Sequence, residues 1–264
     1  MAIRIAHEAP KSIFYEVEKV TDYSYALVHL FEEDEKYYNL FKQAVEQGRE
    51  VILDNSIFEL EKAFDADRFK YWVEQLKPTW YIVPDVLENA GGTMAKMAEW
   101  NGRYRKGLPG KTIGVVQGKT YDEIVDCYEY MDNISQVDMI AISFDYSYYE
   151  KSFPHSNKLV SWMLGRVKLL GDLLRDGIIN KDKPHHLLGV ALYWEGLFYK
   201  DYNWIYSMDT SNPVVYGIKN GLYTSQVWDK PSEKLFTLIN KEIKEQDVQT
   251  ILANIQTFRK TWNG

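Results

Sequence analysis

VILDNSIFE, residues 51–59, contains an apolar run that stops at Asp54 and leads through small polar residues to Phe58. The run is hydrophobic at every position instead of at every second one, which is typical of a strand buried on both faces. Parallel strands covered by helices are buried in this way. A carboxylate directly after such a strand needs a partner or a function, because leaving water costs it free energy.

Seven further runs of strand length occur in the chain, and helically spaced segments separate the first seven of the eight. We predict strands at residues 25–30, 51–55, 80–85, 112–118, 139–144, 186–191, 204–209 and 214–218. Eight strand–helix units in 264 residues predict an α/β fold, a (β/α)8 TIM-like barrel, with residues 1–264 as a single domain. Residues 231–264 are predicted to form a C-terminal helical extension packed on the outside.

Polar side chains stand at the ends of four predicted strands. They are Asp54, Asp85, Gln117 and Asp209. An aspartate can cap the helix that follows it, so each position has a structural explanation. The carboxyl ends of barrel strands, however, carry the loops that build active sites. Four polar ends directed at one barrel mouth therefore favour a site over four separate caps.

The types of these residues suggest a chemistry. Two carboxylates that face each other across a small pocket can act as nucleophile and as general acid or base, as in enzymes that break glycosidic bonds. Phe58, four residues after Asp54, could stack on a flat ring held between them. The amide of Gln117 both donates and accepts hydrogen bonds, which suits the edge of a purine. Together they indicate a heterocyclic base attached to a sugar.

Net charge limits the partners that the chain could have. The formal charge is −7 and the pI is about 5.4, which argues against a protein that coats nucleic acid through bulk charge. One segment, RYRKGLPGK (103–111), is locally basic and is either a contact for a nucleic-acid backbone or a solvated helix end. Its candidate contact residues are Arg103, Arg105, Lys106 and Lys111.

Cysteine usage and hydropathy exclude other classes of site. Cys127 is the single cysteine and lies in a helically spaced segment, so it is predicted to be a small buried residue. No window approaches the roughly 18 apolar residues that span a bilayer, and the N-terminus lacks the apolar region of a signal peptide. We therefore expect a cytoplasmic protein without membrane contact.

Five segments, in order, resemble the tRNA-guanine transglycosylase superfamily, including its DNA-directed 7-deazaguanine branch. VILDNSIFE resembles the family's strand ending in Asp-Ser-Gly-Gly-aromatic-Gln, and IGVVQG resembles its Gly-Ile-Val-Gln-Gly segment. IAISF stands where the family has Leu-Ala-Ile-Gly-Gly, and HLLGVA is similar to its Tyr-Leu-Met-Gly-Val-Gly strand. SMDTSNP occupies the place of the Phe-Asp-Cys-Val-x-Pro nucleophile segment, so the resemblance covers residues 50–215.

The resemblance implies catalytic roles for two residues and a base-stacking role for a third. Asp209 would be the nucleophile that attacks C1′ of the nucleoside and forms a covalent glycosyl intermediate while guanine leaves. Asp54 would be the general acid and base, which protonates the departing base and later deprotonates the incoming one. Phe58 would stack on the base.

It also implies a set of base-binding residues. Asp85 would read the base edge, as the family's aspartate at the end of the second strand does. Gln117, with the backbone of Gly118, would contact the exocyclic oxygen. Leu188 would form the opposite wall of the base pocket.

The chain departs from the family's pattern at several positions. Ser56 and Ile57 replace both glycines of the Ser-Gly-Gly turn. Ser143 and Phe144 replace the glycine pair after Leu-Ala-Ile. Glu59 stands where an amide is usual.

The family's zinc site of three cysteines and a histidine cannot form in a chain with one cysteine. His185 and His186 are neighbours on a predicted strand, so they point to opposite faces and make poor joint ligands. We interpret both as residues at the entry of the strand and expect no metal and no cofactor. Without the zinc subdomain, which helps the tRNA enzymes to hold their substrate, DNA becomes a better candidate polymer than tRNA.

The leading hypothesis is an enzyme that replaces guanine in a nucleic acid, DNA before tRNA, with a 7-deazaguanine base such as preQ0. The target base would be flipped into the pocket, and the basic segment at residues 103–111 would form a rim around it. The abundant Tyr and Trp residues could also build a homodimer interface.

Two other hypotheses stay open. In the first, the same carboxylates belong to an N-glycosylase or nucleoside hydrolase, whose glycosyl intermediate is released by water. In the second, the barrel binds a nucleotide or a partner protein without catalysis. The pairing of Asp54 with Asp209 argues against the second, because a binding module has little reason to hold two carboxylates at one pocket.

Overall fold

A computed structural model describes residues 2–190, 192–224 and 234–264. Within these residues, eight parallel strands form a nearly closed barrel with interleaved helices, which confirms the predicted (β/α)8 TIM-like fold. The strands are β1 (Arg4–His7), β2 (Ser24–Leu27), β3 (Val51–Asp54), β4 (Trp80–Ile82), β5 (Lys111–Val116), β6 (Met139–Ser143), β7 (His185–Leu188) and β8 (Ile205–Thr210).

The barrel closes between its first and second strands through a side chain. Hydrogen-bonded ladders run in the order β1-β8-β7-β6-β5-β4-β3-β2. At the remaining seam the backbone N–H of His7 donates to Thr21 Oγ1 over 2.9 Å, and Thr21 Oγ1 donates to the carbonyl of Ile5 over 2.9 Å. The backbone N–H of Asp22 donates to the same carbonyl over 3.0 Å. These hydrogen bonds stand in for part of a strand ladder.

Helices connect the strands on the outside of the barrel. They are α1 (Phe14–Glu18), α2 (Val28–Glu33), α3 (Glu35–Glu46), α4 (Ile57–Leu60), α5 (Ala66–Leu76), α6 (Ala90–Glu99), α7 (Tyr121–Asn133), α8 (Ser147–Ser152), α9 (Lys158–Arg175), α10 (Asn212–Asn220) and α11 (Glu245–Asn263). A π-helical turn, Trp100–Tyr104, continues α6, and 3-10 turns lie at Lys11–Ile13, Tyr193–Phe198 and Leu235–Leu238. No helix in the described ranges has the length and apolar character needed to cross a bilayer.

The strand interiors are buried on both faces, as their continuous hydrophobicity predicts. Leu53, Ile82, Ile113, Ile140 and Leu187 have no solvent-exposed surface. Burying one such side chain contributes ~1.5–3 kcal/mol relative to leaving it exposed, so the barrel wall holds the helices around it. Polar side chains such as Asp54 and Asp209 lie instead at the carboxyl ends of the strands.

One predicted strand is wrong. Residues 214–218 lie inside α10, where Val214 and Val215 pack with Ile251 and Ile255 of α11. Pro213 stands at the start of this helix, where its fixed φ is compatible with helix and its missing N–H has no partner to lose. The short apolar run therefore belongs to a buried helix face, which hydrophobicity alone does not distinguish from a strand.

The strand that completes the barrel in place of residues 214–218 is β1, which the sequence pattern does not reveal. Its four residues, RIAH, begin and end on polar side chains and leave too short an apolar run. The predicted strand at residues 25–30 is also only half correct, because β2 ends at Leu27 and Val28 begins α2.

The C-terminal region packs on the outside of the barrel as predicted. Helix α11 contacts α10 and the turn Tyr193–Phe198, where the Trp262 ring lies against Gly196. The side chain of Asn263 accepts from the N–H of Ile3 over 2.9 Å and donates to its carbonyl over 2.8 Å. Residues 231–233 of the predicted extension, and Ala191 at the end of the predicted strand 186–191, lie outside the described residues.

Candidate active site

A cavity of about 500 Å³ opens at the carboxyl ends of the barrel strands. Six of the predicted site residues line it: Asp54, Phe58, Asp85, Gln117, Leu188 and Asp209. The carboxylates in its described wall are Glu8, Asp54, Glu59, Asp85, Asp145 and Asp209. So many acidic groups in one buried space cannot all ionise equally easily, because each charge raises the cost of the next. Their individual surroundings therefore decide their chemistry.

Asp209, near the end of β8, is held by two donors from the neighbouring strand. Its Oδ1 accepts from His186 Nε2 over 3.1 Å and from the backbone N–H of Gly189 over 3.1 Å. The side chain is almost fully buried. The hydrogen bonds that described residues make to this carboxylate both end on Oδ1. Oδ2 is therefore the oxygen that can attack a substrate carbon.

His186 links Asp209 to the interior of the barrel. Its Nδ1 lies 2.8 Å from Ser207 Oγ, and its ring stacks on Tyr25 with a centroid distance of 6.1 Å. Since Nε2 faces a carboxylate, we assign the proton to Nε2, so that Nδ1 accepts a hydrogen bond from the hydroxyl of Ser207. This arrangement fixes the imidazole, and the imidazole in turn orients the carboxylate.

The interpretation of the two histidines as strand-entry residues misses this contact. Their side chains do point to opposite faces: His185 Nε2 lies 2.7 Å from the Tyr128 hydroxyl of α7, outside the barrel wall, while His186 points inward. The signal was present in the sequence. Strand residues two apart share a face, so predicting Leu188 as a pocket wall also places His186 inside the barrel.

Asp54, at the end of β3, has surroundings that favour its protonated form. Burial, followed by the charges of Glu59 and Asp209, raises the pKa of this carboxyl well above its usual value. The backbone N–H of Ser56 donates to Asp54 Oδ2 over 3.1 Å and opposes the shift. A carboxyl group that keeps its proton in a cavity is suited to general acid catalysis.

In the turn after Asp54, Ser56 adopts a backbone conformation that is usual for glycine. Ser56 has φ +60° and lies where the transglycosylase turn has its first glycine. Its Oγ accepts from the backbone N–H of His29 over 3.3 Å. The left-handed conformation is strained for a residue with a Cβ, so the turn holds Ser56 in it at some cost in free energy.

Asp85 is the centre of a hydrogen-bonded group on the floor of the cavity. Asn55 Nδ2 donates to Asp85 Oδ1 over 2.8 Å, and Gln117 Nε2 donates to Oδ2 over 2.6 Å. Gln117 Oε1 accepts from the backbone N–H of Glu88 over 2.8 Å. Burial raises the pKa of Asp85 to about 6, although the hydrogen bonds from Gln117 and Asn55 lower it. Both ends of the Gln117 amide are thus oriented by protein groups, the oxygen by Glu88 and the nitrogen by Asp85.

Aromatic rings form one side of the cavity mouth. Phe58 and Phe144 have centroids 5.4 Å apart, and Phe144 lies 5.4 Å from Trp162. The ammonium of Lys234 lies 4.4 Å from the centroid of Phe58 and donates to its carbonyl over 2.8 Å. One face of Phe58 is therefore covered by a cation, and a base could stack only on the other.

Gly118 is the one predicted base-binding residue that the described cavity wall does not include. A Cβ at this position would come within 2.9 Å of the backbone nitrogen of Ile124 and 3.0 Å of Glu123. The glycine allows the chain to pack closely against the start of α7. Its backbone accordingly serves the fold, and the predicted contact to an exocyclic oxygen finds no support there.

The predicted basic rim lies at the wrong end of the barrel. Lys111 is the first residue of β5, and its ammonium lies 5.0 Å from the ring of Trp80, the first residue of β4. Arg105 pairs with Asp138, which precedes β6, while Arg103 and Lys106 lie in the same connection from α6 to β5. Loops that precede strands lie opposite the cavity mouth. Arg103, Arg105, Lys106 and Lys111 therefore cannot surround a substrate in this cavity.

Among the described residues, no group of three or more His, Cys, Asp or Glu side chains is arranged to hold a metal ion. No protein-family model matches the sequence, and no curated protein matches it either. The resemblance to the transglycosylase superfamily thus depends on the order of its motifs.

Proposed function

We propose that this protein is an enzyme that breaks the N-glycosidic bond of a guanine-type nucleotide and exchanges its base. One observation carries the proposal: Asp209 and Asp54 line the same cavity in unequal surroundings. Asp209 is oriented by His186 and Gly189, whereas burial and nearby charges favour the proton on Asp54. Two carboxyl groups whose environments differ in this way can divide the roles of nucleophile and acid.

In the proposed reaction Asp209 Oδ2 attacks C1′ of the sugar while the bond from C1′ to the base nitrogen breaks. The electron pair of that bond goes to the base, which takes the proton of Asp54 as it leaves. The ionised Asp54 then removes a proton from the incoming base, whose nitrogen attacks C1′ and releases Asp209. Asp54 ends the cycle protonated, so atoms and charges balance.

The floor of the cavity supports a guanine-type base. Asp85, already held by Asn55 and Gln117, keeps further lone pairs with which to accept hydrogen bonds. Guanine offers two neighbouring donors on one edge, its ring N–H and its exocyclic amino group, whereas adenine offers one donor beside an acceptor. A carboxylate at the base edge therefore favours guanine.

The polymer and the incoming base are proposed from the resemblance. DNA is the proposed polymer, and a 7-deazaguanine such as preQ0 is the proposed incoming base. A base in a duplex would have to leave its stack to reach Asp209, and the face of Phe58 opposite Lys234 would replace part of the lost stacking.

Incubation of the purified protein with duplex DNA and, separately, with tRNA tests the proposal. Each polymer carries labelled guanine, each reaction is run with and without preQ0, and the products are digested and weighed as nucleosides. Deazaguanine in one polymer, released labelled guanine in the same reaction, and loss of both with Asp209→Asn would support base exchange. Unchanged nucleosides in both polymers would contradict it.

A second function, hydrolysis of a free nucleoside or nucleotide by the same carboxylates, is favoured by the charge around the cavity. Six carboxylates line its described wall, and the segment at residues 103–111 lies at the other end of the barrel. Such a mouth attracts a polyanionic backbone poorly. Guanosine and guanosine monophosphate, incubated without a second base, test this function: free guanine and free sugar would support hydrolysis, and intact nucleoside would contradict it.

A further inference from the structure

A fully buried arginine stands behind the barrel wall beside the candidate site. Arg166 of α9 pairs with Glu195, with Nε 2.6 Å from Oε1 and Nη2 2.9 Å from Oε2, and both side chains have no exposed surface. The hydroxyl of Tyr199 donates to Glu195 Oε1 over 2.6 Å. The proposed reaction uses none of these groups, although such a pair is costly to remove from water.

The guanidinium reaches past Glu195 to the end of β7. Its Nη1 donates to the carbonyl of Leu188 over 3.0 Å, and its Nη2 donates to the carbonyl of Gly189 over 2.8 Å. A weaker contact of 3.4 Å joins Nη1 to the carbonyl of Ile142 at the end of β6. The arginine therefore fixes two successive carbonyl groups at the rim of the barrel.

One peptide unit connects this arginine to the proposed nucleophile. The carbonyl of Leu188 and the N–H of Gly189 belong to the same planar trans peptide, so they point in opposite directions. The carbonyl faces Arg166 outside the wall, and the N–H donates to Asp209 Oδ1 inside the cavity over 3.1 Å. A positive charge on the carbonyl side polarises the amide and strengthens its N–H as a donor.

Gly189 would allow the Leu188–Gly189 peptide to rotate away from Asp209 if nothing held it. Its φ is +60°, and a Cβ there would come within 2.5 Å of the Phe144 ring. Glycine permits this conformation without favouring it over others. The two hydrogen bonds from Arg166 supply the restraint that the residue type does not.

We infer that Arg166 and Glu195 are positioning residues for Asp209. Glu195 holds the guanidinium fork, Arg166 holds the Leu188–Gly189 peptide, and that peptide presents its N–H to the carboxylate. Buried ion pairs of this kind add little stability over apolar side chains of similar volume, so orientation of the rim is the better explanation for the pair. The inference rests on the proposed function for its effect on turnover, while its structural part can be tested without any activity.

The structural test observes the Gly189 amide directly. Protein labelled with ¹³C at leucine carbonyls and ¹⁵N at glycine gives signals from Leu–Gly pairs only, and the sequence contains three: Leu164–Gly165, Leu170–Gly171 and Leu188–Gly189. In the double variant Arg166→Met/Glu195→Met, which removes both charges together, the Gly189 amide proton should move upfield. The Gly171 signal, on the same helix as Arg166, should stay in place as an internal reference.

The control is Arg175→Met, which removes an exposed arginine paired with Asp172 and Asp176 on the same helix. It should leave the Gly189 signal unchanged. Should the double variant fail to fold by circular dichroism, Arg166→Lys keeps the charge but cannot form the fork, and it should shift the same signal by less. A Gly189 amide that does not move in a folded variant would overturn the inference.

The kinetic test uses the base-exchange assay. The double variant should lower kcat by about tenfold, the size of effect seen when partners that orient a metal-ligating side chain are removed, and it should leave KM unchanged. Equal kcat in a variant whose Gly189 signal has moved would overturn the role in turnover. No turnover by the wild-type protein would contradict the proposed function alone, because the amide signal would still decide whether Arg166 holds the peptide.

Discussion

Strands β3 and β8 end in the same local pattern, an aspartate followed two residues later by a serine, yet their surroundings differ. Asp54 receives a hydrogen bond from its own turn, through the N–H of Ser56. Asp209 receives two from the neighbouring strand, through His186 and Gly189. Ser56 has a left-handed backbone with φ +60°, whereas Ser211 has φ −90°.

The properties of the two aspartates are therefore set by their neighbours in space and not by the local motif. Glu59 and Asp209 lie close enough to Asp54 to raise its pKa, and burial raises it further. Asp209 instead meets an imidazole and an amide that Arg166 fixes from behind. The same short motif can thus present a proton at one strand end and an oriented oxygen at the other.

The largest effect should come from the β8 side. Asp209→Asn should lower turnover by at least about 10⁴-fold, because an amide cannot form the covalent intermediate. It should leave the fold intact, since its oxygen can still accept from His186 and Gly189. Asp145→Asn is the matched control: it also lines the cavity and accepts from Ser143 Oγ over 2.8 Å, and it should retain most activity. Equal losses in the two variants would mean that Asp209 has no role beyond that of another carboxylate in the cavity wall.

The next effect should separate acid from nucleophile. Asp54→Asn should lower turnover of a guanine substrate by about 10³-fold, because the leaving base then lacks its proton donor. With 7-methylguanosine, whose base is cationic and leaves without protonation, the loss should be much smaller. Asp209→Asn should impair both substrates alike. Measurement of base release from both substrates by both variants gives the test, and an equal loss of both with Asp54→Asn would count against the acid role.

A third prediction concerns the floor beside Asp54. Burial raises the pKa of Asp85 to about 6 from the ordinary 3.8. Below about pH 4 both folded and unfolded chains hold this proton, so no free energy is lost. As the pH rises to about 6 only the unfolded chain ionises, which costs the folded state at most about 3 kcal/mol above that pH.

Urea unfolding of the wild type and of Asp85→Asn at pH 4, 5, 6 and 7 measures this cost. The amide introduces a donor facing Asn55 or Gln117, which lowers stability equally at every pH. Between about pH 4 and pH 6 the free energy of unfolding of the wild type should therefore fall relative to that of Asp85→Asn. Above about pH 6 the difference between the two free energies should stay constant. Two unfolding curves that stay parallel would mean that Asp85 ionises normally in the folded chain.

The sequence predicts which polar residues stand at the strand ends. It does not predict contacts between side chains that lie far apart along the chain. Asp54, Asp85, Gln117 and Asp209 follow apolar runs, so their meeting at one mouth follows from parallel topology. His186 also follows from alternation along β7, once Leu188 is placed inside. Glu195 has no such signal, because the Tyr193–Phe198 turn that carries it has no period linking it to Arg166.

Two errors have simple physical causes. The apolar stretch at residues 214–218 is short, and a buried helix face and a buried strand look alike over that length. The basic segment at residues 103–111 leads into β5 and ends at its first residue, so it lies at the amino ends of the strands. The first error concerns local structure, and only the packing of the segment against α11 corrects it. The second could have been avoided from the sequence, because the direction of the chain already places the segment before β5.

The smallest effect concerns the two serines themselves. Ser56→Gly should raise the free energy of unfolding by about 0.5–1 kcal/mol, because it relieves the left-handed strain. Two smaller effects oppose this gain: the 3.3 Å contact to His29 is lost, and glycine has more freedom in the unfolded chain. Ser211→Gly, at φ −90°, should lower it by a few tenths of a kcal/mol, since no strain is relieved at the start of α10. Urea unfolding of both variants measures the contrast. Opposite signs would locate the strain at the β3 end alone, and equal signs would show that the two turns differ only in what surrounds their aspartates.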